Sequence, residues 1–321
     1  GTYAKGEFLI PLCTIEATLS MSLNRGAYCT SLAGGIRTKH LRQTLSRTPA
    51  FYFSNLEEAS LFVQWIERHF NEIKAIAEST TRFGKLHAIE PNFIGAHVLL
   101  DFLYTTGEAA GQNMTTFSTS AACKWIEKHY QNPIDYIIES NYNGDKNISY
   151  RSLFKGRGHS VVAEAHFERL LIERLCGKGI VEKLVKANHL YSGASQLGGV
   201  VTHNLHTANA LSAIYIACGQ DVACVAENSM NIFSAEETPE GNIKFYLNMP
   251  SITVGTVGGG TKLEDQNKNL QMMGCTGTDS AKKFAEIVAS ACLATEISLA
   301  LAVTGHEFVQ AHQKYSGKVI G

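Results

Sequence analysis

Leu197–Asp221 reads LGGVVTHNLHTANALSAIYIACGQD, and its character decides the fold. A glycine pair and a polar entry (Thr202, His203, Asn204) lead into Ala208, Ala210, Leu211, Ala213, Ile214, Ile216 and Ala217, with no charge and no proline before Gly219. Small and apolar residues all round, closed by a glycine, predict a wholly buried helix rather than an amphipathic surface one. The run is shorter than the roughly 20 apolar residues of a membrane span, and it is polar at its start. Asp221 follows at once. A carboxylate there is either solvated in an exit loop or held in a cleft for chemistry.

The chain has 321 residues, enough for one large or two unequal domains. Its 45% hydrophobic and 18% charged residues fit a globular protein. A formal net charge of −1 gives no bulk attraction to nucleic acid or to a membrane, so an anionic ligand must be met by local basic residues. The eight cysteines are scattered with no CxxC pair, which predicts free thiols in a reducing cytosol and no metal site. Neither a signal peptide nor a transmembrane run is evident, and the abrupt start leaves room for an upstream segment, a membrane anchor included.

Around the central stretch, residues 7–12 read as a strand ended by Pro11, and a helix is predicted from Thr14 to Arg25. Glu16 at its start has a plain reading as an acid set favourably against the helix dipole. The basic run Arg37, Lys39, His40, Arg42 and Arg47 reads as a solvated edge or an anion-binding rim. From Ala50 to Ile137 strands and helices alternate, predicting a small α+β insert. Inside it, Thr106–Met114 is a glycine-bearing turn that opens a helix, an anion site by type. Ser140–Gly158 is a polar loop, long enough to be functional, that holds Asp145 and Lys146. Val161–Leu175 and Ile180–Lys186 read as helical. Strands at 244–248 and 252–254 run into Gly255–Thr261, where consecutive glycines permit close backbone approach to a ligand. A helix from Asp279 to Gly305 precedes a last one holding His306 and His312.

Three stretches together resemble the hydroxymethylglutaryl-CoA reductase family, in its class I form. They are Pro250-Ser-Ile-Thr-Val-Gly-Thr-Val-Gly-Gly-Gly-Thr261, Ala213-Ile-Tyr-Ile-Ala-Cys-Gly-Gln-Asp221 and Gly156-Arg-Gly-His-Ser-Val-Val-Ala-Glu-Ala165. The resemblance implies an α+β fold: a large catalytic and coenzyme A-binding domain (1–48 and 139–321) built around the buried central helix, with an inserted ferredoxin-like domain (49–138) for NADP. It implies NADPH rather than NADH, a coenzyme A thioester as substrate, and a homodimer or higher oligomer with active sites between protomers. The implied reaction reduces hydroxymethylglutaryl-CoA to mevalonate and coenzyme A in two hydride transfers.

Residue by residue, the resemblance places Glu16 as proton donor, Lys146 as the oxyanion cation, Asp221 as the acid tuning that pair, and His312 as the acid for the coenzyme A thiolate. Ser22, Asn24, Arg25, Arg47, Asp145 and Asn209 fall at substrate-binding positions. Arg82, Phe83, Glu108, Gly111, Asn113, Gly258, Gly259 and Gly260 fall at cofactor positions. The chain departs from the pattern at Glu108 (Asp in the family), at Ala110 and Gln112 (methionines) and at Ala17 (Gly). Glu139 stands where a small polar residue meets the acyl end, and His189 where a lysine does. A carboxylate added beside an anionic acyl tail is unfavourable. Two other readings therefore stay open: the same chemistry on another acyl thioester, coenzyme A- or carrier-bound, or an inactive paralogue acting as a subunit.

Overall fold

The computed structural model describes residues 1–305, so His306 and His312 lie outside the described residues. In chain order the elements are α1 (Ala17–Leu32), β1 (Ile36–Arg47), β2 (Ala50–Tyr52), α2 (Leu56–Arg68), α3 (Phe70–Ser79), β3 (Lys85–Ile94), β4 (His97–Thr105), α4 (Gln112–His129) and β5 (Asp135–Ile137). There follow α5 (Tyr150–Phe154), β6 (Gly158–Phe167), α6 (Arg169–Cys176), α7 (Ile180–Leu197), α8 (Thr207–Ala217), α9 (Val225–Asn228), β7 (Ile232–Glu237), β8 (Ile243–Ile252), α10 (Glu264–Met272) and α11 (Ser280–Thr304).

The strands form one eight-stranded antiparallel sheet in the order β5-β2-β4-β1-β6-β8-β7, with β3 on the far side of β4. The continuity rests on β1. Its residues 36–44 pair with β6, and Leu45, Ser46 and Arg47 pair with β4. Thr48 and Pro49 then interrupt the strand before β2 continues along β4. The "basic run" is therefore a strand, with partly buried and exposed residues alternating over its first half. That period of two, in which charged residues alternate with the partly buried ones, is the signal that the basic composition hid.

Two hydrophobic cores flank β1. The first packs α11 against β6, β8 and β1 on one side and α1, α7 and α8 on another. The second is built from Phe51, Phe62, Ile73, Leu100, Phe102 and Ile126, with Trp65, Trp125 and Tyr130 at its edge. Both tryptophans of the chain belong to this second core. Each stacks on a histidine four residues later, His69 and His129, with ring centroids 4.2 Å apart in both pairs. Tryptophan fluorescence is thus a local reporter. Phe62→Ala, at a fully buried position, is expected to cost about 3–5 kcal/mol and to move the fluorescence midpoint in urea well below that of the parent. An unchanged midpoint would rule out Phe62 as a keystone of this core.

Several expectations need correction. Residues 7–12 form no strand; they run as an extended segment whose Cys13 amide donates to the Ala213 carbonyl, 3.0 Å. Residues 158–167 are a central strand and not a helix: Val161, Ala163, Ala165 and Phe167 are buried while Val162, Glu164 and His166 between them are only partly so, a period of two that the helical reading passes over. The most deeply buried long helix is α11. α8 spans the apolar run but is not wholly buried, since it leaves Ile216 exposed. α11 is long and apolar enough to cross a membrane, yet it is mostly buried within the first core. Its two acids are fully buried and fully used. Glu286 accepts from the amides of Thr2, Tyr3, Ala4 and His40, and Glu296 accepts from Leu205 N, His206 N and Thr207 Oγ1 at 2.7–2.9 Å. Glu296 so fixes the start of α8, which carries the next residue of interest.

Candidate active site

Asn209 lies in the first turn of α8, and its Nδ2 donates to Glu16 Oε2 at 3.0 Å. Glu16 is the exposed residue just before α1, held there by its own amide donating to Thr14 Oγ1. At the other end of α8, Asp221 accepts from the Ala223 amide and pairs with Lys146, Nζ to Oδ2 3.0 Å. Each of those two side chains is nearly half exposed. The hydrogen bond from Lys146 to Asp221 raises the lysine's pKa above its ordinary value, so the ammonium stays cationic at neutral pH. Asn209 and Ala217 are separated by about 12 Å of helix axis, and Asp221 lies beyond that. The four groups therefore stand as two pairs, Glu16–Asn209 and Lys146–Asp221, at opposite ends of one helix.

The loop carrying Lys146 is anchored from below. Lys146 itself takes a left-handed backbone conformation (φ 59°), and its amide donates to Glu227. Glu227 is fully buried. It accepts from Arg157 Nε and Thr253 Oγ1, each at 3.0 Å, and burial pushes its pKa up against the pull of Arg157. Arg157, also buried, reaches Asp145 at 3.0 Å, the Ser46 carbonyl and Gln112 Oε1, both at 3.2 Å. Arg47 pairs with Glu139 and, at 3.5 Å, with Asp145. Glu139 also accepts from Asn143 Nδ2 and the Asn141 amide. The sequence pointed to Arg47, Asp145 and Lys146 but not to Arg157 or Glu227. A charged residue in an otherwise apolar stretch was the available signal for Glu227.

The glycine stretches meet on one side of this loop. Gly255 packs so tightly on the Ala109–Ala110 backbone, and Gly219 on Gly260, that a Cβ at either would collide. Ala109 and Val257 form a parallel bridge. Gln43 clamps the 106–107 turn, accepting from both amides and donating to the Gly107 carbonyl at 2.8 Å. Glu108 spends both oxygens on the start of α11, accepting from Asp279 N, Ser280 Oγ and Ala281 N at 2.7–3.1 Å. Its extra methylene relative to aspartate serves that cap. Gly111 precedes α4 at φ 90° and, as its N-cap residue, gives it no side-chain cap. Gly258 and Gly259 take positive φ with open space above them. Arg82, Phe83 and Asn113 are exposed, and Phe83 sits against Gly107. Open backbone at Gly258 and Gly259 next to the glycine turn that opens α4 is of a type that suits a phosphate-bearing ligand.

Among the remaining positions, Ser22 and Arg25 face inward, both bonding Ser298 of α11 (3.0 and 2.9 Å), whereas Asn24 and His189 are exposed. No group of three or more potential metal ligands occurs among the described residues.

The hydroxymethylglutaryl-coenzyme A reductase family model matches residues 2–317. The chain belongs to this family. Among its relatives, the 3-hydroxy-3-methylglutaryl-coenzyme A reductase of Methanocaldococcus jannaschii is 38% identical over 98% of this chain and 78% of that protein, and that of Pyrococcus abyssi gives the same figures. The reductase of Haloferax volcanii is 33% identical over 97% of the chain and 78% of the relative. Among solved structures, the class II 3-hydroxy-3-methylglutaryl-CoA reductase from Streptococcus pneumoniae bound to NADPH superposes with a TM-score of 0.75 at 20% identity, covering 93% of this chain and 81% of that one. As a member of the hydroxymethylglutaryl-CoA reductase family, the chain is an oxidoreductase.

Proposed function

We propose that the protein is an NADPH-dependent reductase that takes the acyl carbon of a coenzyme A thioester to a primary alcohol. Hydroxymethylglutaryl-CoA going to mevalonate is the reference form of the reaction. The balance is one thioester, two NADPH and two protons giving alcohol, free thiol and two NADP⁺. The observation that carries the reading is the Lys146–Asp221 pair, an ammonium held cationic by an aspartate two residues after Gly219, which packs on Gly260 of the glycine run. Arg82, Gly111, Asn113 and Gly258–Gly260 would hold the dinucleotide, with Arg82 meeting the extra phosphate that separates NADPH from NADH. Bound there, it supplies the hydrides.

The chain's own groups do the rest. Lys146 offers a positive charge to the oxygen that becomes anionic as the carbonyl is reduced. Glu16, oriented by Asn209, donates a proton. His312 would protonate the departing thiolate. The strand order β5-β2-β4-β3, with crossover helices, supports residues 49–138 as a ferredoxin-like dinucleotide-binding insert and 1–48 with 139–321 as the larger domain.

Because the two pairs occupy opposite ends of α8, a complete site takes Glu16–Asn209 from one copy and Lys146–Asp221 from another. Exposed apolar side chains beside each half support this: Ile15 next to Glu16, and Ile148, Tyr150 and Val222 around Lys146 and Asp221. The free thiols suit a reducing, cytosolic setting. The deciding experiment follows NADPH absorbance with a panel of acyl-CoA thioesters and quantifies the products. Two NADPH consumed per thiol released, with the alcohol formed, is the expected result. A ratio of one, or an aldehyde end product, would refute the four-electron reading.

A further inference from the structure

We infer that Glu139 is a specificity-determining residue that fills the acyl-carboxylate position from within, so that the preferred acyl group lacks a terminal carboxylate. The inference rests on the reductase reading above and narrows its substrate. Arg47 is the buried guanidinium beside the Lys146 loop, and both of its NH2 groups are already engaged, one by Glu139 and one by Asp145. Glu139 is not a mobile side chain swung toward solvent. Besides Arg47, it accepts from Asn143 Nδ2 at 2.6 Å and from the Asn141 amide at 2.8 Å, so its carboxylate is held on three sides.

The other cations facing the loop are committed in the same way. Arg157 is matched by Glu227 and Asp145, Arg151 by the fully buried Asp101, and Lys146 by Asp221. Each of the four cations thus already has a carboxylate partner before any substrate arrives. A second carboxylate on the acyl chain would have to displace Glu139 from Arg47 or lie beside it unpaired, and both are unfavourable where water is partly excluded. A neutral acyl group of similar shape meets neither obstacle. Rejection by a fixed like charge, more than any new attraction, sets the choice.

The test uses the full chain, NADPH and two thioesters that differ only at the far end: hydroxymethylglutaryl-CoA and 3-hydroxy-3-methylbutyryl-CoA, in which a methyl replaces the carboxymethyl group. The parent should favour the neutral thioester in kcat/KM by about tenfold or more. Glu139→Gln keeps the shape and hydrogen-bonding oxygen while removing the charge, and Glu139→Ser removes the side chain. Each should shift the ratio toward hydroxymethylglutaryl-CoA by about tenfold, mainly through KM, with NADPH affinity unmoved. A parent that prefers hydroxymethylglutaryl-CoA, or a ratio that neither substitution changes, overturns the inference and leaves the reductase reading intact. Oxidation of NADPH with neither thioester in any of the three proteins overturns the reductase reading itself, and the inference with it.

Discussion

Lys146→Met is expected to lower kcat by about 10²–10³-fold while leaving NADPH binding within twofold of the parent. The size of the effect follows from geometry. Among the described residues facing the Lys146 loop, Lys146 is the exposed cation; Arg47 and Arg157 are buried and Arg151 is partly buried, each beside its carboxylates. An ammonium that meets developing charge in the transition state, but only a dipole in the ground state, acts on kcat more than on KM. Loss of the lysine's charge should cost little stability, since an ion pair this exposed contributes about 0–1 kcal/mol. Asp221→Asn provides the companion measurement. Asp221 raises the lysine's pKa, so the pair's contribution is complete below the unfolded lysine value and is lost as pH rises through the folded one. Replacing Asp221 should bring the alkaline limb of the kcat profile to lower pH. A Lys146→Met enzyme within a few-fold of the parent would remove Lys146 from the oxyanion role.

The parts of the site that were legible in the sequence are those whose chemistry is unusual for their local setting. Lys146 in a polar loop, Asp221 after an apolar run and consecutive glycines after a strand each stand out; Lys146 pairs with Asp221, and Gly219, two residues before that aspartate, packs on Gly260. What stayed hidden is what depends on long-range pairing. β1 carries its basic residues among the exposed members of a strand whose alternate residues are partly buried, and its pairing with β6 more than 110 positions away leaves that hard to tell from a solvated rim. The β6 strand reads as helical although its residues 161–167 alternate between buried and partly buried, because a run this short sits directly before a true helix, α6. Arg157 and Glu227 are separated by 70 positions and explain each other only once they touch. Glu108 shows the same limit at a single side chain. Beside a glycine turn it reads as a ligand-facing acid, whereas its oxygens cap a helix more than 170 residues away.

The placement of Glu16 and Lys146 at opposite ends of α8 leads to the second large effect, which concerns two copies of the chain. Glu16→Gln and Lys146→Met should each be inactive as pure preparations. Mixed after dissociation and reassociation in equal amounts, they should recover about a quarter of the parental activity, since half of a random population of dimers is mixed and each mixed dimer holds one intact site of two. The recovery arises because the intact site takes its glutamate from the chain carrying Lys146→Met and its lysine from the chain carrying Glu16→Gln. If both groups acted within one chain, every site in the mixture would carry a lesion and no activity would return. The double variant Glu16→Gln/Lys146→Met, mixed with the parent, separates the two arrangements again. Shared sites predict that each mixed dimer loses both of its sites, so activity falls to about half of that of a mixture in which subunits act alone. A site divided between copies must lose activity on dilution below the dissociation constant of the pair, with Ile15, Ile148 and Tyr150 returned to water together.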